Sequence, residues 1–140
     1  MVFRCPNIAG TTANSRYSRS ELREMRAPEG SAGAAANNWT TDDGGTLSAT
    51  LRVDHVSTTG TSSKVGRVIV GQIHGEGAEP IRLYYHKRPH EARGRIYAGL
   101  DSSANVSSWS PDIVPNDDGH GIALGEVFSY RIKLTGRQLE

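Results

Sequence analysis

The sequence holds one cysteine, Cys5, in 140 residues. A lone thiol closes no internal disulfide and builds no thiolate metal cage, so a disulfide-stapled mini-protein is excluded. No stretch approaches the roughly 20 consecutive apolar residues that a membrane-spanning helix needs. An excess of one charge is also missing. Sixteen basic residues stand against 15 acidic ones, a net charge of +1. No global field therefore draws the chain to nucleic acid or to an anionic membrane. The start, Met1 to Pro6, lacks the apolar core of about 7–15 residues that a secretory signal carries, because Arg4 and Pro6 interrupt it. Lysine is scarce, with 3 among the 16 cations and arginine supplying the other 13. A GC-rich gene produces that bias without functional demand. An individual arginine still offers a planar fork that grips a carboxylate in two places, which lysine cannot do.

What is plentiful is small and hydroxylated. Gly, Ser and Thr make up 40 of the 140 residues, which suits strands joined by tight turns and suits long helices poorly. The hydrophobic share of 36% and charged share of 22% are those of a folded chain. The length fits one domain over residues 1–140.

Alternation gives the strands. Leu47, Ala49, Leu51 and Val53 alternate with Ser48, Thr50, Arg52 and Asp54, a half-buried strand running to about Val56. Further strands are expected over Arg67–His74, over Pro80–Arg88 with Ile81, Leu83 and Tyr85 on one face, and over Arg93–Leu100. Residues 101–121 read as a long loop containing Trp109. Glu126–Leu134 alternates again with Phe128, Tyr130, Ile132 and Leu134 inward, and Arg137–Glu140 begins another strand after a Thr135–Gly136 turn. Residues 27–45 read as loop, and 16–26 fits helix or strand equally by pattern. Many short strands with Gly- and Ser-rich turns indicate an all-β sandwich or barrel. The last strand is cut short by the end of the chain, so a shortened C-terminus is expected.

Two clusters carry candidate chemistry. If residues 16–26 are a strand, Arg19, Glu21 and Arg23 share one face at about 6.5–7 Å intervals while Leu22 points into the core. One carboxylate between two guanidiniums leaves a cation for an anionic ligand; a solvated charged face is the plainer reading. The second cluster is Gly71-Gln72-Ile73-His74-Gly75. A period of two puts Val68, Val70, Gln72 and His74 on one face, with Ile69 and Ile73 on the other. An amide beside an imidazole can bind an acidic oxygen or move a proton. A rim pair satisfied by its neighbours is the alternative. His55, His86, His90 and His120 show no metal-ligand spacing and read as incidental. Asp42-Asp43 and Asp117-Asp118 sit beside glycine and read as turns, not calcium loops. Asn38-Trp39-Thr40 and Asn105-Val106-Ser107 fit the glycosylation sequon.

Arg19-Ser-Glu-Leu-Arg-Glu24, with Gln72-Ile-His74 about fifty residues later, resembles the alginate lyases of polysaccharide lyase family seven. Val2-Phe-Arg-Cys-Pro6 resembles the strand that precedes the arginine motif there, and Arg82-Leu-Tyr-Tyr85 fits after the second motif. Glucuronan lyases share the same sandwich. The resemblance implies a jelly-roll β-sandwich of the concanavalin or lectin-like kind, with 16–26 as a strand. It implies a groove for an acidic polysaccharide, alginate, cleaved by β-elimination at C5 and O4 of the uronic acid. Arg23, Gln72 and His74 then take the catalytic roles, and Arg19, Glu21 and Lys87 hold substrate. The Ile of Gln72-Ile73-His74 goes in the family with guluronate-containing blocks. No metal or organic cofactor is implied. The implied protein is a monomer, without nucleic-acid or membrane partners, and secreted or periplasmic. The family's third motif, Tyr-x-Lys-x-Gly-x-Tyr-x-Gln, which supplies the tyrosine acid, does not occur in these 140 residues. Some opening strand sequence is also expected to be missing. A chain without that tyrosine is expected to cleave little or not at all. The alternative function is a non-catalytic sandwich that binds an acidic glycan.

Overall fold

The computed structural model describes residues 1–6, 10–11, 17–24, 42–74, 79–101 and 107–140. Met1–Asn38 and Trp39–Glu140 are two compact units. Among the described residues of the second, seven strands succeed one another: β1 (Gly45–Arg52), β2 (Arg67–Ile73), β3 (Ile81–His86), β4 (Arg95–Asp101), β5 (Ser107–Trp109), β6 (Val127–Thr135) and β7 (Gln138–Leu139). The described residues contain no helix. All pairings between strands are antiparallel, and the strands form two sheets, β1-β6-β7 and β2-β3-β4-β5.

The expected alternation builds the core. Leu83 and Tyr85 of β3 face Ile73 of β2 and Ile96 of β4, and from the other sheet come Ile132 and Leu134 of β6. Val53 and Ile122 complete this cluster, while Leu51, Phe128 and Tyr130 pack against it. Tyr85 is wholly buried, and its hydroxyl donates to the Ile122 carbonyl at 3.0 Å. A buried phenol needs such a partner, because an unpaired hydroxyl in an apolar interior costs about 1–3 kcal/mol. Gly136, at φ 56°, opens the two-residue loop between β6 and β7, a backbone region that favours glycine.

Strand β1 ends at Arg52, short of the expected Val56, and three larger expectations change. Trp109 does not lie in a loop: β5 pairs with the end of β4, Gly99 opposite Trp109. Residues 17–24 form no strand, and neither do residues 1–6. A strand must satisfy its backbone groups on a neighbour, and no ladder among the described residues includes these segments. Nor is there an apolar face to bury there, since Leu22 is 77% exposed and does not enter a core. The third change lies in β2. Its register shifts between Ile69 and Gly71, a β-bulge. Ile69 therefore pairs with Tyr84 and shares a face with Gln72, which pairs with Arg82. Val70 packs against the core, and Val68, opposite Tyr85, takes the core side of the register.

The cause of the bulge is visible across the sandwich. Tyr130 of β6 donates its hydroxyl to the Val70 carbonyl at 2.6 Å. Its ring occupies the place of a side chain at position 71, where a Cβ would stand 2.5 Å from the hydroxyl oxygen. Only glycine fits there. An extra residue in one strand re-aims the side chains beyond it. The turns expected at Asp42-Asp43 and Asp117-Asp118 are present, with His120 N–H donating to the Asp117 carbonyl at 2.7 Å. Gly75, most of the 27–45 loop and the asparagines of both sequons lie outside the described residues.

Candidate active site

The face of the four-stranded sheet turned away from the core carries the polar residues. In β3 these are Arg82, Tyr84 and His86, alternating with Ile81, Leu83 and Tyr85. Gln72 and His74 stand on this face together, as the period of two anticipates. The Gln72 amide nitrogen contacts Nε2 of His74. Nδ1 of His74 faces Oε1 of Glu79 at 3.6 Å. The other oxygen of Glu79 lies 3.2 Å from Nε of Arg82, an ion pair without aligned hydrogen-bond geometry. Arg82 in turn places Nη2 on both oxygens of Asp101, at 2.8 and 2.7 Å.

This chain of contacts sets the imidazole. A carboxylate opposite Nδ1 favours the tautomer that carries its proton there. The Nε2 lone pair then accepts from Gln72, or from a substrate proton that displaces it. Asp101 and Glu79 hold the Arg82 guanidinium. Burial by itself would lower the pKa of Arg82, but Tyr84, Asp101 and Glu79 outweigh it and raise it, so this cation is permanent. Burial likewise pushes the Tyr84 phenol up, against the pull of Arg82 and Arg67.

His86 departs from the incidental role expected of it. It is buried, its Nε2–H donates to the Val65 carbonyl at 3.1 Å, and Nδ1 lies 3.4 Å from the Tyr97 hydroxyl. Burial holds its pKa below 6.5, with Arg88 and Arg95 adding to the effect against the raising influence of Val65 and Glu91. A neutral ring satisfies both contacts, and a protonated one would lose the acceptor at Nδ1. His55, His90 and His120 are exposed.

In the first unit, Nη1 of Arg19 lies 3.9 Å from Oε1 of Glu21, and both side chains are well exposed, as is Arg23. Lys87 comes just after the end of β3, five residues beyond Arg82 or roughly 17 Å along an extended chain. It is not beside the Gln72–His74 pair. Among the described residues no group of three or more His, Cys, Asp or Glu could hold a metal ion. No helix among them is long and apolar enough to cross a membrane.

Sequence reasoning assigned no role to Glu79, Arg82 and Asp101. A signal for Arg82 was present. The alternation that buries Ile81, Leu83 and Tyr85 necessarily turns Arg82, Tyr84 and His86 the other way. The Glu79 and Asp101 contacts depend on the loop before β3 and on the β3–β4 register, which no local pattern reports.

Two antiparallel sheets around one apolar core, with an amide–imidazole pair on the outer face of one sheet, define a lectin-like jelly-roll β-sandwich with a polar site on that face. The chain belongs to the alginate lyase family, whose model matches residues 1–140. It is 41% identical over 170 residues to an alginate lyase of Klebsiella pneumoniae, covering 99% of this chain and 55% of that protein. The crystal structure of the alginate lyase from Klebsiella pneumoniae superposes with a TM-score of 0.63 at 45% identity, over 69% of this chain and 38% of that one. The exolytic PL7 alginate lyase AlyA5 from Zobellia galactanivorans gives a TM-score of 0.74 at 28% identity, over 96% of this chain and 47% of that one. The chain thus spans about half the length of the curated relative it matches.

Proposed function

We propose that the protein cleaves alginate by β-elimination, with Gln72 and His74 at the reacting sugar. The observation that carries this reading is the contact between the Gln72 amide and Nε2 of His74, with Glu79 on the opposite ring nitrogen. The C5 proton of a uronate is poorly acidic while the adjacent carboxylate is fully charged. Donors aimed at that carboxylate stabilise the enolate-like transition state, and such fixed donors are usually the largest single contribution to catalysis. Gln72 supplies one donor. Nε2 of His74 takes the C5 proton, the electron pair of the C5–H bond forms the C4–C5 double bond, and the C4–O4 bond breaks as O4 takes a proton from the tyrosine acid of the family's third motif, which these 140 residues do not carry. Arg23 joins in neutralising the carboxylate, and Arg19, Glu21 and Lys87 hold substrate. The roles of Arg23, Arg19 and Glu21 rest on the family's arginine motif, and that of Lys87 on the wider resemblance, since it lies outside the quoted motifs.

Guluronate-containing blocks are the proposed substrate, from the Gln-Ile-His form of the motif. Ile73 is buried on the core side. Any effect it has on sugar preference passes through the placement of Gln72 and His74, not through contact. Residues 1–140 fit a single alginate lyase-type domain on the family match. Secreted or periplasmic action is the reading that the family match supports.

The test is direct. Each cut creates an unsaturated uronic end that absorbs in the near ultraviolet, so residues 1–140 joined to a strand carrying the tyrosine motif should give a rising trace on polyguluronate, slower on polymannuronate, while residues 1–140 alone should give little or none. Binding of alginate with no rise in absorbance by the protein that carries the tyrosine strand would overturn the lyase reading and leave a glycan-binding sandwich.

A further inference from the structure

The outward face of the four-stranded sheet continues well past His74. Gln72 pairs with Arg82, Arg82 with Gly99, and Gly99 with Trp109, so these four lie in one row across the strands. Three inter-strand spacings put the Trp109 backbone about 14 Å from Gln72. Gly99 leaves the row open beside Trp109. A Cβ there would stand 3.1 Å from the indole and 3.2 Å from the Tyr84 ring. Beneath the indole, Tyr84 and Tyr97 stack at 5.4 Å, and Trp109 lies 5.6 Å from each. Tyr84 is 4% exposed while Trp109 is 54% exposed. The tyrosines support a platform, and the indole is the part that meets solvent.

A cation stands beside it. The Arg67 guanidinium lies 4.9 Å from the Tyr84 ring and 5.7 Å from that of Trp109. The neighbouring arginines of this face are occupied, Arg82 by Glu79 and Asp101, and Arg95 by Glu91 and Asp112. Arg67 has no carboxylate partner among the described residues. Aromatic contact orients its fork without neutralising it.

We propose that Trp109 and Arg67 form a distal subsite for a uronate residue of a chain whose reacting bond lies at Gln72 and His74. The indole stacks on the apolar face of the sugar ring, and the guanidinium takes its carboxylate as a bidentate pair. The inference rests on the lyase reading for the identity of the chain. Its own content is a dependence on length. A ligand must extend several sugar units from His74 to reach Trp109, so only long oligomers gain from the platform.

Titration calorimetry of the protein with sodium oligoguluronates, a disaccharide and a long oligomer, tests this. Trp109→Ala should weaken the long oligomer about ten-fold, the usual cost of truncating a central contact residue, and leave the disaccharide unchanged. Trp109→Phe should recover part of the loss. Arg67→Gln, which keeps the platform, should weaken the long oligomer and flatten the salt dependence of its binding. Equal losses for both ligands, or none for the long one, would overturn the subsite. Binding that persists while length dependence is absent would count against the subsite alone. Absence of binding of either oligomer by the unaltered protein would sink the lyase reading beneath it.

Discussion

The two faces of the four-stranded sheet are made from the same strands, often from adjacent residues, yet they answer to different physics. Toward the core, Ile73, Leu83, Tyr85 and Ile96 meet Ile132 and Leu134 of the other sheet. Fully burying such a side chain stabilises the fold by about 1.5–3 kcal/mol, whichever apolar neighbour it finds. Away from the core, Gln72, His74, Glu79, Arg82 and Asp101 join by hydrogen bonds and ion pairs. Pairs of this kind near solvent contribute about 0–1 kcal/mol each, so the network adds little stability. What it provides is direction, since each polar atom is aimed by the next. The inner face sets whether the domain folds, and the outer face sets what it can do.

That contrast can be broken by single substitutions. The largest expected effect is on chemistry. In a protein that also carries the tyrosine strand, His74→Ala should lower turnover on alginate by about 100- to 1000-fold, read from the ultraviolet trace, with the unfolding midpoint nearly unchanged. A large loss of stability in this variant would show that the outer network supports the fold after all. Next, Leu83→Ala should destabilise by about 2–5 kcal/mol in denaturant unfolding, while turnover per folded molecule stays the same. Gly71→Ala should breach the division. Its new Cβ collides with Tyr130, and the bulge aligns Gln72 and His74. We expect a loss of about 1–3 kcal/mol together with reduced turnover, measured on one preparation. A Gly71→Ala protein with full activity would mean that the bulge does not position the pair.

The smallest effect expected is acid sensitivity from His86. Burial lowers the folded-state pKa of this histidine below the ordinary 6.5. Above 6.5 the ring is neutral folded or unfolded, and nothing is lost. As pH falls below 6.5 the unfolded chain takes up a proton that the folded chain resists, so stability declines toward the folded-state pKa. Thermal unfolding monitored from pH 7 to pH 5 should show that decline, and His86→Gln should make it shallower.

Much of this was legible in the residues. The alternation at Leu47–Val53 and at Phe128–Leu134 announced strands because a half-buried strand must alternate. Gln72 and His74 fall on one face in the structure because they are two apart beyond the bulge. The same rule failed for Ile69 and Val70, because Tyr130, sixty residues further on, inserts its hydroxyl at Val70. It failed also for Arg19, Glu21 and Arg23. Alternation describes a strand only once a neighbour takes up its backbone hydrogen bonds, and residues 17–24 have no ladder among the described residues.

The sequence by itself determined the all-β class, most strand positions, the apolar faces and the family, since these come from local periodicity and from two short motifs. The tertiary structure alone decided the phase of β2, the neutral burial of His86, the Glu79–Arg82–Asp101 support behind His74 and the strand that carries Trp109. Each of those depends on which residues register brings opposite one another, and cross-strand partners far apart in the chain leave no trace in the local pattern.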